Sequence, residues 1–550
     1  MSGSELRILP LGGLGEIGMN CLVLEWDGEL CLIDCGVQFP DASYAGVDIL
    51  VPDFQYVLSR LERLRGIIVT HGHDDHIGAI PFMARHADLD VYSTPFPRGL
   101  IQQRLQETVG AREVTFHEVA PHKPFRVGPF TFEPIPVRHS IIESLAYAIT
   151  TPAGVIVHTG DFKHDANEIG GETFGMEAFE ALGRKGVTLL LSDSTNAERV
   201  GHTLSETDIA RSFEGIFATQ SGRLFIALFA SNIRRIENLL RLAHLFGKKV
   251  AFAGRSMHSY TRLAHEQGSI RLPPDTLVLL EDTRNYPDAQ VLVLLTGSQA
   301  EPRSVLTRVA EGIHKDIELR RGDKVLMSSR FIPGNERAIT RMIDHLYRQG
   351  AEVIYESISQ IHVSGHGFQD ELLMMLRAVR PKYFIPIHGE YRHLAKHAAL
   401  ARETGVAPEN VFIVENGQSV SLEGQSMRVT ERLDLQKGVV VDGFLMQGPS
   451  TLFTHRLNLA KTGIVFVALV RDKRTRELLG APRVHSYGLM LRGGKDAVEV
   501  LNGASDMLAE VYPEVRGKAD LEDILRLEVR RFIRKHASHK PVVVPVILDV

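Results

Sequence analysis

Cysteine, tryptophan and long apolar stretches are all scarce in this sequence of 550 residues. The 3 cysteines, Cys21, Cys31 and Cys35, are odd in number and show no CxxC spacing, which argues against a disulfide framework. No apolar run approaches the ~20 residues of a membrane span. The first residues, MSGSELRILPLGG, lack the basic and apolar regions of a signal peptide. These absences predict a cytoplasmic protein that makes no use of a membrane.

A strong net charge is also lacking, because the formal charge of the chain is −5. The charge is unevenly spread, however. Residues 201–350 hold 21 lysines and arginines against 16 aspartates and glutamates, whereas the remainder of the chain is acidic. A basic segment favours contact with a polyanion and gives mild support for nucleic-acid binding. The hydrophobic content of 44% is typical of a globular protein.

Residues 71–76 (HGHDDH) bring together four metal-binding side chains directly after an apolar run (GIIVT) that predicts a buried strand. Buried imidazoles and carboxylates need partners, and a cation provides one for all of them. His71 and His73 alternate and can face one ion, while Asp75 and His76 can turn toward a second. The segment therefore predicts a two-metal hydrolytic site, in which the ions activate water and neutralise charge.

The HGHDDH segment resembles the HxHxDH signature of the metallo-β-lactamase fold, an αββα sandwich that binds two metals at its edge. Further family positions are matched at the ends of predicted strands by LIDCG, VRHS, VIVHTGDF and IPIHGE. The resemblance implies three sets of metal ligands: His71, His73 and His139 on one ion, Asp75, His76 and His388 on the other, and Asp161 as a bridge between them. It also implies that Asp34 orients the ligands without touching a metal.

A long insertion separates Asp161 from His388, and its apolar runs alternate with amphipathic segments. A helix is predicted from Ser205, where SETD gives a capping pattern with Asp208. Strands are predicted at 223–229, 249–253, 291–296 and 324–327, and helices at 232–246 and 336–348. This alternation predicts a parallel, Rossmann-like α/β insert. It resembles the β-CASP domain, which covers the active site of metallo-β-lactamase nucleases and grips nucleic acid.

Shorter segments also match β-CASP signatures: SDSTN with Asp193 as its acidic residue, TGSQAEPRS at 296–304, PGNE at 333–336 and HVSGHG at 362–367. The resemblance implies a ribonuclease for single-stranded RNA that acts in RNA maturation and decay. Asp75, Asp193 and His366 are its candidate catalytic residues. His366 is the candidate general acid for the departing 3′ oxygen, because an imidazole can be charged near neutral pH.

A phosphate of the substrate is expected at the HVSGH segment. Glycine permits a close approach of the backbone, and backbone N–H groups attract anions. The candidate substrate-binding residues are His362, Val363, Ser364, Gly365 and His366. From this pocket we expect 5′ to 3′ exonuclease activity that favours a 5′ monophosphate, together with endonuclease activity on unpaired RNA.

One motif is rejected. Gly13, Gly15 and Gly18 satisfy GxGxxG, but a dinucleotide site also needs a helix after the glycines. The residues that follow, NCLVLEWDGELCLID, instead predict a β-hairpin with Asp27 and Gly28 in the turn.

The metal motifs stop after about residue 430. Strands at 463–471, 484–489 and 542–548 and helices at 495–511 and 521–535 predict a small α/β domain. The resemblance implies that this domain assembles a homodimer or homotetramer, and that the enzyme can join an RNA degradation complex. The predicted bounds are 1–207 and 351–430 for the metallo-β-lactamase domain, 208–350 for the β-CASP insert, 431–462 for a linker and 463–550 for the assembly domain.

The sequence leaves the metal and two alternative functions open. Zn²⁺ is the expected ion and Mn²⁺ the alternative, because histidine and aspartate suit both. One alternative is another enzyme of the fold, either a 5′ DNA exonuclease or a small-molecule hydrolase. His388 argues against the DNA branch, and the long insert argues against small substrates. The other is a catalytically silent RNA-binding scaffold, against which the full set of ligand types argues.

Overall fold

The computed structural model describes residues 5–41, 44, 46–165, 174–331, 335–356, 361–424, 426–446, 451–492, 496–537 and 539–550. The chain forms two compact units. The first comprises Met1–Phe39 and Ile49–Leu445, and the second comprises Pro40–Asp48 and Met446–Val550. No described helix is both long and apolar enough to cross a membrane.

Two sheets form a sandwich in the first unit. The larger has eight strands, in the spatial order Ser426–Arg432, Gln418–Glu423, Leu6–Gly12, Cys21–Trp26, Glu29–Ile33, Leu64–Ile68, Leu89–Ser93 and Val114–Glu118. The smaller has six, in the order Pro381–Ile387, Val187–Asp193, Gly154–His158, Leu145–Thr151, Phe130–Pro136 and Phe125–Val127. Leu24 and Ile33 of the larger sheet meet Tyr147 and Leu191 of the smaller in one buried core. This is the predicted sandwich of the metallo-β-lactamase fold.

The helices of the first unit cover the outer faces of the sandwich and the faces of the insert. They span Gln55–Leu58, Asp74–Ile77, Ile80–Met83, Pro95–Glu107, Met176–Lys185, Glu206–Thr219, Ile233–Leu245, Arg255–Glu266, Val305–Ala310, Glu336–Arg348, Gln369–Val379 and Tyr391–Glu403. Two short sheets are also present. One pairs Leu14–Gly15 with Gly389–Glu390, and the other has three strands in the order Phe444–Met446, Gly438–Val441 and Ile49–Val51.

Parallel pairing brings the carboxyl ends of several strands to one edge of each sheet. In the larger sheet, Ile33 lies opposite Ile68 in a parallel pair. In the smaller sheet, Val187–Asp193 runs parallel to both of its neighbours, and Asp193 lies opposite Ile387. Residues that follow these strands therefore lie close together, and they include most of the predicted ligands.

The insert is built on a parallel sheet, as predicted, and this sheet has five strands. Its strands, in spatial order, are Lys249–Ala253, Val291–Leu295, Leu224–Ala227, Lys324–Met327 and Glu352–Ile354. The last of these was not predicted, because three residues are too few to show a period. Ser205 caps the helix Glu206–Thr219 in a capping box with Asp208.

The opening of the chain is a hairpin and not a dinucleotide fold. Cys21–Trp26 pairs antiparallel with Glu29–Ile33. Between them Asp27 and Gly28 have φ angles of 50° and 78°. Two left-handed residues in a two-residue turn match the twist of the flanking strands.

The segment expected to be a linker, 431–462, contains regular structure. Gly438–Val441 joins the edge strand Ile49–Val51, and Thr451–Thr462 is helical. The second unit contains a sheet in the order Arg483–Tyr487, Ile464–Arg471 and Val542–Asp549, with the helices Ala497–Val515 and Leu521–Arg534 packed on one face. Its other face exposes the side chains of Phe466, Val470, Tyr487, Val546 and Leu548.

Candidate metal centre

The predicted ligands converge where the strands of both sheets end. The HGHDDH segment follows Leu64–Ile68, and Asp161 follows Gly154–His158. Asp34 and His388 come directly after their strands, and both adopt left-handed backbone with φ angles of 60° and 55°. Such backbone is costly for a residue other than glycine and is characteristic of functional sites. It turns each side chain sharply away from its strand.

The first group of donors comprises His71, His73, His139 and Asp161, whose ligand atoms all lie within 4.8 Å of one another. The Nε2 atoms of His71 and His139 each lie 3.0 Å from Nδ1 of His73. Burial lowers the pKa of all three histidines, to about 4 for His73. Both contacts fall on the single nitrogen His73 Nδ1, which has either one proton or one lone pair for two partners, whereas a cation can bind all three nitrogens.

The second group comprises Asp75, His76 and His388, again within 4.8 Å. Asp75 Oδ2 lies 3.3 Å from His388 Nε2 and 3.6 Å from His76 Nε2. Burial lowers the pKa of both histidines, but the surrounding carboxylates, Asp161 first, outweigh it and raise the pKa of His76, and that of His388 to about 9. The group therefore has a negative potential that favours cations.

Asp161 stands between the two groups. Its Oδ2 lies 3.2 Å from His76 Nε2 and 3.4 Å from His388 Nε2, and 3.7 Å from the Nε2 atoms of both His71 and His139. One carboxylate oxygen thus faces donors from both groups. This is the position that a bridging ligand requires, and the donor set fits two metal ions.

The ring nitrogens that face away from the centre have acceptors of their own. His76 Nδ1 donates to Asp34 Oδ2 at 2.8 Å, and His139 Nδ1 donates to the carbonyl of Gly365 at 2.7 Å. Metal-binding histidines usually have such a partner, because it fixes the ring and its tautomer. Asp34 lies outside the donor groups and contacts one of their members, His76.

His366 and Asp193 lie beside these groups and contact each other. His366 Nδ1 lies 2.8 Å from Asp193 Oδ2, and its ring centroid is 5.2 Å from that of His388. Burial opposes the charged forms of both groups, but their attraction outweighs it, raising the pKa of His366 and lowering that of Asp193. With Asp161 and His388 they form a third set of converging donors, in which His366 and Asp193 already satisfy each other.

The side chains of the HVSGHG segment lie in different surroundings, and His362 Nδ1 lies 3.2 Å from the Arg235 guanidinium. Ile361 and Val363 are buried in the hydrophobic core, so only the backbone of Val363 is available to a substrate. Ser364 Oγ accepts hydrogen bonds from Asn196 Nδ2 at 2.8 Å and from the His366 amide at 3.1 Å. A side chain at Gly365 would place its Cβ 2.7 Å from His139 Cε1, so only glycine allows this approach.

Other β-CASP motifs surround the same segment. Arg330 donates to Asn196 Oδ1 at 3.3 Å, and burial together with the nearby Arg199 lowers its pKa. Gln299, from TGSQAEPRS, donates to the carbonyl of Arg330 at 2.7 Å. Pro333 and Gly334 of the PGNE motif lie outside the described residues.

Three polar residues at the centre are not among the predicted site residues. Asn20 Nδ2 lies 3.0 Å from His76 Nε2, and the hydroxyls of Thr70 and Thr195 contact predicted ligands. Thr70 precedes HGHDDH and Thr195 lies within SDSTN, so their positions gave a usable signal. Asn20 gave none, because it lies in the loop before Cys21–Trp26, far from HGHDDH in the sequence.

A two-part histidine and aspartate centre on this sandwich, together with a parallel α/β insert, defines a metal-dependent hydrolase of the metallo-β-lactamase class with a β-CASP domain. Four family descriptions match the chain: "Beta-lactamase superfamily domain" at 31–179, "Ribonuclease J, beta-CASP domain" at 221–346, "Zn-dependent metallo-hydrolase RNA specificity domain" at 350–414 and "Ribonuclease J C-terminal domain" at 452–550. A Ribonuclease J of Synechocystis sp. is 38% identical over 98% of this chain and 86% of that protein. The chain belongs to the ribonuclease J family.

Two further relatives are similar to this chain over nearly their whole length. A Ribonuclease J of Thermus thermophilus is 36% identical over 99% of this chain and 95% of that protein, and Ribonuclease J2 of Bacillus subtilis is 32% identical over 99% of both. A crystal structure of an Enterococcus faecalis protein of unknown function matches with a TM-score of 0.53 at 15% identity, over 76% of this chain and 100% of that one, which shows the fold alone. The family matches show that the chain is a metal-dependent ribonuclease, and they disfavour the alternatives of a scaffold and a small-molecule hydrolase.

Proposed function

We propose that this ribonuclease removes mononucleotides from the 5′ end of single-stranded RNA, prefers a 5′ monophosphate, and cuts unpaired regions internally at a lower rate, in RNA maturation and decay. The observation that carries the proposal is the place of Ser364. The next residue, Gly365, accepts a hydrogen bond from the predicted ligand His139. A terminal phosphate held at Ser364 would therefore lie about one nucleotide from the metal centre.

Ser364 is prepared to bind an anion. Its oxygen accepts two hydrogen bonds, from Asn196 and from the His366 amide, and no described acceptor takes its hydroxyl proton. That proton is available to a phosphate oxygen. Arg330 and Arg199 add positive charge beside Asn196, which suits a monophosphate. A triphosphate is expected to be too bulky for this position.

We assign His71, His73 and His139 to one ion, Asp75, His76 and His388 to the other, and Asp161 to both. Zn²⁺ is the proposed metal, in keeping with the Zn-dependent domain that matches residues 350–414, and Mn²⁺ is the alternative. When bound, the two ions supply an activated water and neutralise charge on the phosphoryl oxygens.

The chain's own groups hold and move the remaining proton. Asp193 Oδ2 accepts from His366 Nδ1, which leaves Nε2 of His366 as the nitrogen that can give a proton to the departing 3′ oxygen. Asp193 thus orients the acid, and His366 is the catalytic residue that contacts the leaving group.

The second unit is the proposed assembly domain. One face of its sheet exposes a patch made of Phe466, Val470, Tyr487, Val546 and Leu548. Burial of such a patch against a second copy of this chain would stabilise a dimer or tetramer. Cys21, Cys31 and Cys35 are buried free thiols, which is consistent with the reducing cytoplasm, where a degradation complex would act.

The test is a comparison of RNA ends. Three RNAs of one unpaired sequence, with a 5′ monophosphate, triphosphate or hydroxyl, are labelled internally and at the 3′ end and then digested. We expect mononucleotide release that is fastest from the monophosphate. Ser364→Ala should weaken this preference more than it weakens internal cutting, because about 1–3 kcal/mol of phosphate binding is removed. Equal loss of both activities, or degradation from the 3′ end, would contradict the assignment.

A further inference from the structure

A threonine hydroxyl bridges an aspartate and a predicted ligand on the smaller sheet. Thr195 follows the strand that ends at Asp193, and its Oγ1 donates to Asp193 Oδ1 at 2.8 Å. The same Oγ1 lies 2.6 Å from His388 Nδ1. Asp193 Oδ1 itself is 3.6 Å from that nitrogen, which is too far for a direct hydrogen bond. The hydroxyl fills the gap between them.

The larger sheet repeats the arrangement with different residues. Thr70 lies between its strand and His71, and its Oγ1 donates to Asp34 Oδ2 at 2.8 Å. The same Oγ1 lies 3.0 Å from His71 Nδ1. Thr70 is 1% exposed, so water does not compete for these bonds. In each half of the sandwich a threonine hydroxyl therefore links an aspartate to one predicted ligand, His388 or His71. In the larger sheet Asp34 Oδ2 also accepts a hydrogen bond directly from His76 Nδ1.

In both sets of hydrogen bonds, the chemistry of the aspartate, threonine and histidine side chains determines which atom donates and which accepts. An ionised carboxylate only accepts hydrogen bonds, and Asp193 Oδ1, at 2.8 Å, is nearer to Thr195 Oγ1 than the His388 carbonyl is, at 3.2 Å. The single hydroxyl proton of each threonine is therefore assigned to its aspartate. The threonine oxygen then accepts, and the proton it accepts is on Nδ1 of the histidine. In the neutral ring, Nε2 is then left with its lone pair. In both histidines Nε2 faces Asp161 Oδ2, at 3.7 Å from His71 and 3.4 Å from His388.

We propose that Thr70 and Thr195 are positioning residues, and that each hydroxyl fixes one histidine, His71 or His388, in the tautomer that presents Nε2 to a metal ion. The inference rests on the metal assignment of the proposed function. It also explains why these two ligands differ from His76 and His139, whose Nδ1 atoms reach an acceptor directly.

Metal affinity tests the proposal without reliance on cleavage. Thr195→Val keeps the shape of the side chain and removes the hydroxyl, whereas Thr195→Ser keeps the hydroxyl. Each protein is stripped with a chelator, refilled with Zn²⁺ and titrated with a competing chelator. We expect Thr195→Val to hold one of its two ions about 10–100-fold more weakly, and Thr195→Ser to match the parent. Parent-like affinity for both ions in the valine variant would overturn the proposal.

Double variants show which ligand each hydroxyl serves. Thr195→Val should have little further effect on metal affinity in a His388→Ala background and its full effect in a His71→Ala background, and Thr70→Val should show the reverse. Additive effects in all four combinations would overturn the proposal. If a valine variant does not fold by circular dichroism, the alanine variant at that position takes its place. A parent that binds fewer than two ions would instead contradict the metal assignment itself.

Discussion

Two buried polar clusters in the first unit differ in whether their members satisfy one another. In the ion-pair cluster of Lys163, Glu206 and Arg235, the Arg235 guanidinium lies 2.8 Å and the Lys163 ammonium 3.6 Å from Glu206 Oε1. In the metal centre, by contrast, histidine nitrogens face one another at 3.0 Å. Burial of charge alone therefore does not identify a functional site. A functional site is indicated instead by ligand atoms that converge on one point and cannot all hydrogen-bond to one another.

The two clusters also differ in their expected roles, one in stability and the other in catalysis. The ion-pair cluster joins the sandwich to the insert, because Lys163 follows Asp161 closely and Glu206 begins the first helix of the insert. Arg235 is 2% exposed and also donates to His362 Nδ1 at 3.2 Å. We expect changes in this cluster to lower stability, and changes in the metal centre to lower catalysis.

The largest expected effect comes from the second donor group. Asp75→Ala or His76→Ala should abolish cleavage, because each removes a proposed ligand of one ion, while the fold and most RNA binding persist through the insert. Cleavage and gel-shift assays on the same RNA measure the two properties. Near-parental turnover of either variant with added metal would refute the ligand assignment.

A neighbouring carboxylate provides the matched control. Asp74 lies beside Asp75 in the sequence but pairs with Arg104 and belongs to none of the three donor groups. Asp74→Ala should therefore retain two metal ions and substantial cleavage. Loss of metal from this variant would show that the centre does not tolerate any change in the HGHDDH segment.

Replacement of His366 should separate proton transfer from metal binding. His366→Ala is expected to lower turnover by about 10²- to 10⁴-fold, with metal content unchanged at two ions per chain. Single-turnover cleavage and elemental analysis of one preparation measure both quantities. Loss of an ion would make His366 a ligand, in line with the third set of converging donors, and unchanged turnover would remove it from the mechanism.

Breaking the ion-pair cluster should affect stability and leave metal content unchanged. Arg235→Met leaves Glu206 without its closest partner, and removal of one member of a buried pair costs about 3–5 kcal/mol of unfolding free energy. Denaturant unfolding measures the loss. Arg235→Met combined with Glu206→Gln should recover part of it, because the uncompensated carboxylate is then gone. No loss in the single variant would show that the cluster contributes little to stability.

The smallest expected effect is a dependence of stability on pH. Burial opposes ionisation of Glu206, but Arg235 and Lys163 outweigh it and lower its pKa from 4.5 to about 2. Because the folded-state pKa lies below the unfolded one, this contribution is fully present above about pH 4.5 and is lost as the pH falls toward about 2. The unfolding free energy of Glu206→Gln should fall less than that of the parent across this window. If the unfolding free energies of the parent and Glu206→Gln showed the same dependence on pH, this would contradict the lowered pKa of Glu206.

Short sequence patterns were sufficient to predict most of the fold and to propose the ligands. HGHDDH concentrates its donors in six residues, and the strands of the insert are continuous apolar runs such as 291–295 (VLVLL). The pairing of strands that are distant in the sequence could not be predicted. Gly438–Val441 joins Ile49–Val51, and nothing in either segment specifies the other, so the region around residue 440 was expected to be a linker.

The layer around the ligands was only partly predictable. Asp34 was found because a family pattern includes it, whereas Thr195 meets His388 across 193 residues of sequence. Val363 shows where a motif alone gives too little information. It was grouped with the substrate-binding residues because it lies within HVSGH, but strand-like alternation turns its side chain into the core. The domain bounds and the roles of the site residues stay predictions.

The central claim is that one carboxylate, Asp161, joins two metal sites, and metal content tests it most directly. The parent and Asp161→Asn are refilled with Zn²⁺, dialysed and analysed by inductively coupled plasma mass spectrometry, with circular dichroism as the check on folding. We predict two ions per chain for the parent and fewer than one for Asp161→Asn, because both ions lose a ligand. Two ions retained by folded Asp161→Asn, or a parent that holds one ion or none, would contradict the account.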